Sequence, residues 1–402
     1  MNTTKEQGIQ KNVFFNLKEN KTNNKEDMGM KFKFMGIGAA GNKAAMDLIN
    51  ANVAEEKDVI LVNSTRKDIP KEFGGKTIIL STDGNGCGKE RAIAKEYALQ
   101  AMKAGVFDNL FSNDEDSVLI VTSVEGGTGS GSAPIIGNYC CSVLGKNVHM
   151  VAFTGFEEDA RGLQNTVEFF QEINFDCDIQ TIRNSSFNAI AKGNKFKAEE
   201  LANDEFVSRV RILTGRDLVE SSQNIDDTDI FKVVSTNGYK TIESIQFDDI
   251  LTDMEQFNKL CRQMIYSSKS LKSNNPGQLR MGVILNIKPE SEGAIDYNFE
   301  VIKEAYGVPF ESFFHKQYDG KKQYIQLISS GMKMPLEEVK AIHERYLAAT
   351  AAVDKKNDNF FDEISKLTKN SEDSKFDMVR SGHRPGSKES FLHQFETKPS
   401  NN

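Results

Sequence analysis

The chain has 402 residues, of which 38% are hydrophobic and 9% aromatic, enough for two medium domains with lean cores. A net charge of −8 argues against a nucleic-acid binder acting through overall charge, and five cysteines with no CxxC pair argue against a disulfide framework or a zinc site. No stretch approaches the ~18 apolar residues of a membrane helix, and residues 1–30 lack the apolar core of a signal peptide, so the composition points to a soluble intracellular protein.

Within 1–30, Val13, Phe14, Phe15 and Leu17 read equally as a short docking helix or as part of a weakly packed extension. The run at 31–37 alternates and then turns apolar, which predicts a first strand. A tight turn at 38–41 follows, and Ala45, Leu48 and Ile49 have helical spacing. Short apolar runs at 59–62, 77–80, 118–122 and 148–153 predict buried strands. Helices are expected over 89–106 and from about Gly162. Strands alternating with helices imply a mostly parallel sheet covered on both faces. A long helix is predicted from Ala198 to about Glu220. After it come a strand at 238–247, a helix at 251–266 and a strand at 279–287. A helix at 297–305, a strand at 323–329 and a helix at 336–346 complete a smaller α/β unit, expected to have its own sheet. Beyond Ala351 the apolar pattern fades. Phe360, Phe361, Ile364 and Leu367 suit a helical continuation, and disorder is expected from Asn370 to Asn402.

The strongest local signal is Gly126-Gly127-Thr128-Gly129-Ser130-Gly131, between the strand at 118–122 and a helix. Backbone N–H groups approach a phosphate chain closely where Cβ atoms are absent, and the helix N-terminus adds its positive dipole end. A Gly-Ser loop without a ligand is the plain alternative. No Gly-Lys-Ser/Thr follows, so this is not a Walker A loop. The GGTGSG run resembles the phosphate loop of the tubulin and FtsZ superfamily.

The first turn, with Gly38, Ala39, Ala40 and Asn42, is alone a weak GxGxxG-like match. It admits a dinucleotide-binding oxidoreductase of Rossmann type, with Glu55, Glu56 or Asp58 on a ribose. A third loop at 83–88, with Gly86, Cys87, Gly88 and then Lys89, favours one triphosphate held from several sides. In the family resembled, such loops follow the first, third and fourth strands, the order found here. Asn63-Ser64-Thr65 resembles its second loop. Glu157 and Arg161 resemble the ribose-contacting Glu and phosphate-side Arg, and Asn184 and Asp204 resemble its guanine-reading pair. A carboxylate suits that edge, because guanine presents two adjacent donors. Asn224, Asp226 and Asp229 fit the NxDxxD pattern of the family's catalytic loop, whose carboxylates orient a water toward the γ-phosphate of the next subunit. An acidic helix cap is the bland reading of the same residues. Asp248-Asp249 lacks the pattern's Asn.

The resemblance spans about 31–346 and implies an α/β fold. A parallel-sheet, Rossmann-like GTPase domain of tubulin/FtsZ type (31–197) is joined by a central helix (198–223) to a smaller α/β activation domain (224–350). An extension (1–30), and a helical continuation and flexible tail (351–402), flank them. It implies GTP and GDP as ligands, with Mg²⁺ held mainly by phosphate oxygens and water, and head-to-tail homopolymer filaments in the cytoplasm. Two alanines replace glycines in the first loop, and GCGKER replaces a proline-containing third loop. Lys89 and Arg91 are expected to place positive charge beside the phosphates. These departures and the charged tail look closer to the TubZ branch, which moves plasmid or phage DNA through a TubR-like DNA-binding adaptor. A cell-division FtsZ and a non-hydrolysing nucleotide-sensing scaffold are the other readings. A locally basic stretch from Lys375 to Lys388 is the candidate adaptor contact. Ser390 to Phe395 is a faint equivalent of the apolar peptide that ends FtsZ tails.

Overall fold

A computed structural model describes residues 31–82, 84–111, 117–216, 232–273, 279–351 and 391–392. Six strands come first: β1 (Phe32–Ile37), β2 (Val59–Asn63), β3 (Lys76–Ile79), β4 (Ser117–Ser123), β5 (Asn147–Thr154) and β6 (Cys177–Arg183). They alternate with α1 (Gly38–Asn50), α2 (Arg91–Lys103), α3 (Thr128–Ser142) and α4 (Ala160–Glu172). All six are parallel, in the order β3-β2-β1-β4-β5-β6. Right-handed βα crossovers force this arrangement and leave the strands buried on both faces. Met35, Ile60, Ile120, Met150 and Ile179 enter one core with Tyr139 of α3 and Phe169 of α4. Phe153, of opposite parity, meets Phe206 of α5 (Lys195–Leu213) on the other face, at 5.9 Å between ring centroids.

The second half comprises β7 (Gly238–Phe247), α6 (Met254–Tyr266), β8 (Arg280–Asn286), α7 (Glu300–Tyr306), β9 (Glu311–Gln317), β10 (Gln323–Met332) and α8 (Leu336–Thr350). Its strands do not make the separate sheet expected of them. They extend the first sheet to ten strands as β6-β7-β10-β8-β9. The joint is narrow, because only Asp178↔Gly238 and Ile179↔Tyr239 pair across it. Beyond those pairs the 267–271 segment is bonded to β6 instead, with Arg183 N donating to Lys269 O and Leu271 N to Thr181 Oγ1. Strand β9 escapes sequence reading, since ESFFHKQ keeps no clean alternation on its edge position.

Helix α5 determines what each end of the sheet carries. A 3₁₀ turn, Asn184–Phe187, follows the C-terminal end of β6 and packs on α5. The helix starts at Lys195 with Asn194 as its cap, earlier than expected, and ends at Leu213, short of Glu220. Nineteen residues rise about 28 Å, the length of the sheet. Arg216 just beyond it donates to Asn52 O, at the far end of α1. The chain is next described at Lys232, and β7 then begins opposite the start of β6. Helix α8 packs along α4, with Arg183–Glu338 at 2.7 Å. No helix among the described residues is long and apolar enough to cross a membrane.

Candidate functional site

Three loops converge where β1, β3 and β4 end. The first turn is made by one residue, Gly38, at φ +78°, a conformation that disfavours any Cβ. Helix α1 therefore begins at Gly38, not after Gly41, and leaves Ala39 and Ala40 exposed on its first turn. A Cβ on Gly38 would lie 3.1 Å from Gly129 N, so the first turn and the GGTGSG run touch backbone to backbone. That run is half loop and half helix, because α3 already starts at Thr128. Neither α1 nor α3 has a side-chain cap. Two uncapped N-termini at one place form a ready anion site.

The glycines do different work from that expected. Gly127, Gly129 and Gly131 are closed in by protein: a Cβ on Gly129 would be 2.3 Å from Thr122 Oγ1, and one on Gly127 2.4 Å from Gly88 O. They permit packing between loops. Only Gly126 of that run faces open space, as do Gly86 and Gly88 of the third loop. Cys87 between the latter two is buried. Ser64 of the second loop reaches Thr128, Oγ to Oγ1 at 2.9 Å. Ser130 Oγ turns back to Gly126 O. Asn42, 1% exposed, has no hydrogen-bond partner at either side-chain polar atom, and the Oδ1 of Asn184 is likewise buried and unpaired. A buried amide left this way calls for a ligand or water at that atom.

Charge near the loops is arranged otherwise than the sequence suggests. Arg91 is 4% exposed and held by Glu168 (2.7 Å), Glu172 (2.8 Å) and Ser130 O (2.8 Å). Its role is structural. Pro134 has no N–H to give the Ser130 carbonyl one turn back, and Arg91 satisfies that acceptor instead. Lys89 stays near the loops but pairs with Asp159, which also caps α4 by accepting from Gly162 N at 2.8 Å. The Lys89 bond, with the Gly162 N–H, holds the Asp159 carboxyl below its ordinary range. Arg161 pairs with Glu90 at 3.2 Å. Glu157, at φ +58°, pairs with Arg345 of α8. Two residues escaped sequence reading. Asn165 of α4 donates to Lys89 O, Glu125 O and Gly126 O (3.1, 3.0 and 3.2 Å), tying two loops together. Glu125 accepts from Glu157 N at 2.8 Å, and burial pushes its carboxyl up. Its place directly before Gly126 was a usable signal; Asn165 offered none.

Beside this cluster, a groove of about 580 Å³ runs between α1 and α5, lined by Lys43, Asp47, Lys197, Glu200, Asn203 and Asp204 among others. Asn203 is committed to Asp47 at 2.7 Å, whereas exposed Asp204 makes no hydrogen bond among the described residues. Helix α1 starts in the glycine cluster and lines this groove from Lys43 to Asn50. Asn224, Asp226 and Asp229 lie outside the described residues, as does Asp83.

The model of the Tubulin/FtsZ family, GTPase domain, matches residues 31–192. The tubulin-like protein CetZ1 of Haloferax volcanii is 23% identical over 232 residues, 53% of this chain and 58% of CetZ1, so that alignment covers little over half of the relative. The tubulin-like protein TubZ of Clostridium botulinum C phage is 24% identical over 366 residues, 87% of this chain and 92% of that protein. A GTPγS-form protofilament of Bacillus thuringiensis TubZ superposes with a TM-score of 0.64 at 16% identity, covering 85% of this chain and 94% of that one.

Proposed function

We propose that this chain, which carries a tubulin/FtsZ-family GTPase domain over residues 31–192, is a filament-forming GTPase whose active site is shared between successive copies. The triphosphate lies against the N-termini of α1 and α3, held by Gly38, Ala39, Ala40 and Asn42, by Gly86 to Lys89 and by Gly126 to Gly131. Guanine occupies the α1–α5 groove, where the Asp204 carboxylate accepts from two adjacent donors, with Asn184 as a second contact from the 3₁₀ turn packed on α5. Glu157 and Arg161 take part only when their pairs with Arg345 and Glu90 open. Mg²⁺ would be held mainly by phosphate oxygens and water.

The course of α5 carries this reading. It leads away from the glycine loops, so the residues flanking 217–231 stand at the opposite end of the sheet: Arg216 beside Asn52, and Thr236 bonded to Arg280 at the start of β8. A carboxylate in 224–229 serves a γ-phosphate most directly in another copy stacked head to tail. There Asp226 or Asp229 accepts a hydrogen bond from the attacking water and aligns it with the γ-phosphorus, while the β–γ oxygen leaves with GDP. The B. thuringiensis structure is itself a protofilament, which supports stacking as the assembly mode.

The biological role that fits best is segregation of plasmid or phage DNA through a TubR-like adaptor, supported by the length of the phage TubZ alignment. Light scattering and phosphate release test the core of the proposal. Assembly and turnover are expected with GTP, with turnover per molecule rising steeply with protein concentration. ATP is expected to compete at least about a hundredfold more weakly, because a mismatched base leaves buried polar groups unpaired. Equal competition by ATP sinks the guanine assignment, and a rate independent of protein concentration sinks the shared site. Filaments that bind centromere DNA only with a DNA-binding adaptor support segregation, whereas recruitment to membrane adaptors supports division.

A further inference from the structure

Far along the chain from the GTPase domain, two residues return to it. Phe391 is 5% exposed, with its ring 5.3 Å from Tyr139 of α3 at an interplanar angle of 75°. Tyr139 in turn meets Phe107 at 6.3 Å and donates to Asp108 Oδ1 at 2.6 Å. Phe107 and Leu110, just beyond α2, are in the same buried cluster as Phe391, and Leu392 packs against it half-buried. The expectation of disorder therefore fails at these two positions, which are helical. The reason is local composition: an aromatic and an aliphatic residue adjoin in a stretch otherwise rich in Lys, Ser, Glu and Gly.

We propose that the surface between the C-terminal ends of α2 and α3 is a docking site for an aromatic–aliphatic peptide pair, and that its occupant is the Phe391–Leu392 segment of the same chain. Edge-to-face ring packing with Tyr139 gives the site a preference for an aromatic residue over an aliphatic one of equal area. Two side chains bury too little surface for tight binding by a free peptide. Tethering overcomes this, because attachment forty positions after Ala351 raises the local concentration of the segment. The helices bridged, α2 and α3, are those that follow the 83–88 loop and the GGTGSG run. A partner that reads Phe391 and Leu392 must then displace them from Tyr139 and the cluster around it.

The test uses the full-length chain without nucleotide, as wild type and as the Phe391→Ala Leu392→Ala double variant. A fluorescein-labelled synthetic peptide of residues 386–397 is titrated against both, and amide hydrogen exchange is followed over 101–111 and 135–146. The peptide is expected to bind the double variant at least tenfold more tightly than the wild type, where the tethered copy competes. Exchange is expected to rise in both stretches of the double variant, and saturating peptide is expected to reverse the rise. Equal binding to both proteins, or to neither, overturns the proposal, as does unchanged exchange. Wild-type protection that fades on dilution from about 10 to 0.1 μM assigns the segment to a neighbouring copy and overturns occupation by the same chain.

Discussion

The two ends of the sheet differ in which groups they pair. At the end carrying the glycine loops, polar groups are left without protein partners: two uncapped helix N-termini, both polar atoms of Asn42, the Oδ1 of Asn184 and the Asp204 carboxylate over its groove. Toward the other end, ionised groups are sealed in with their counter-charges. Lys240 is fully buried and lies 3.0 Å from Asp178, which also bonds His149, while Asp178 Oδ1 and His149 Nε2 are themselves buried without a hydrogen-bond partner. Burial pushes the Asp178 carboxyl up, but the charges of His149 and Lys240 outweigh it and hold the group below its ordinary range. Burial lowers Lys240, against the pull of Asp178. One end is left open for something to complete it, whereas the other is closed and holds β5, β6 and β7 together at the narrow joint. Both flanks of the acidic 217–231 segment lie at the closed end, separated from the glycine loops by the length of α5.

Substitutions that move one end and spare the other sharpen this contrast. The largest effect is expected for Asp229→Ala, which should slow phosphate release by about 10²–10⁴-fold while changing nucleotide affinity little, the mark of a contact made in the transition state. Its filaments should persist, because loss of the γ-phosphate no longer occurs. Wild-type turnover from these filaments reduces the acidic run to a helix cap. At the closed end, Lys240→Met strands the buried Asp178 carboxylate with His149 alone and should cost about 3–5 kcal/mol in urea unfolding. Adding Asp178→Leu should restore part of that loss, since an apolar pair avoids the desolvation.

Gly129→Ala and Gly126→Ala separate packing from ligand approach within one loop. The first drives a Cβ into Thr122 Oγ1 and Ser123 O and should cost about 1–3 kcal/mol of stability. The second meets nothing within 4 Å and should stay within about 0.5 kcal/mol while weakening nucleotide binding. Similar stability for both variants contradicts the division of labour among these glycines. The smallest effect concerns Glu243, where β7 parts from β6. Burial raises its carboxyl to about 7 from 4.5, opposed by Arg209 and the Ser268 hydroxyl, with Glu205 adding to the rise. Between those values the folded chain keeps a proton that the unfolded chain has lost. Stability should therefore fall as pH rises from 4.5 to 7 and level off above. Glu243→Gln should flatten that decline by on the order of 1–2 kcal/mol, and thermal melts at pH 5, 6, 7 and 8 measure it. An unchanged slope excludes Glu243 as its source.

The parallel half of the fold was legible because β2, β4 and β5 hold short apolar runs that alternate with helical spacing, whereas β6, with Asp178, Gln180 and Thr181 inside it, carries no such run. The sheet's continuity was not, because two residue pairs at Asp178 and Ile179 leave no trace in composition. Within the site, the loops were legible as glycine runs, yet the reason for most of the glycines was not. The space that Gly127, Gly129 and Gly131 leave is filled by segments distant in sequence. Charge pairing was not legible. Lys89, Arg91, Arg161 and Glu157 each look like a ligand contact in one dimension, and each has a protein partner in three.

What the sequence determined by itself was local: the strand and helix periods, the glycine runs and the order of the loops along the chain. These follow from spacing and residue type, which are local properties. Only the tertiary structure decided which charges are already paired, that Asn42 is buried without a partner, and that α5 carries the chain from one end of the sheet to the other. It also decided that Phe391 lies on Tyr139 rather than in solvent. Burial and ion pairing depend on which distant segment arrives at a given place, and packing the whole chain around one core sets that.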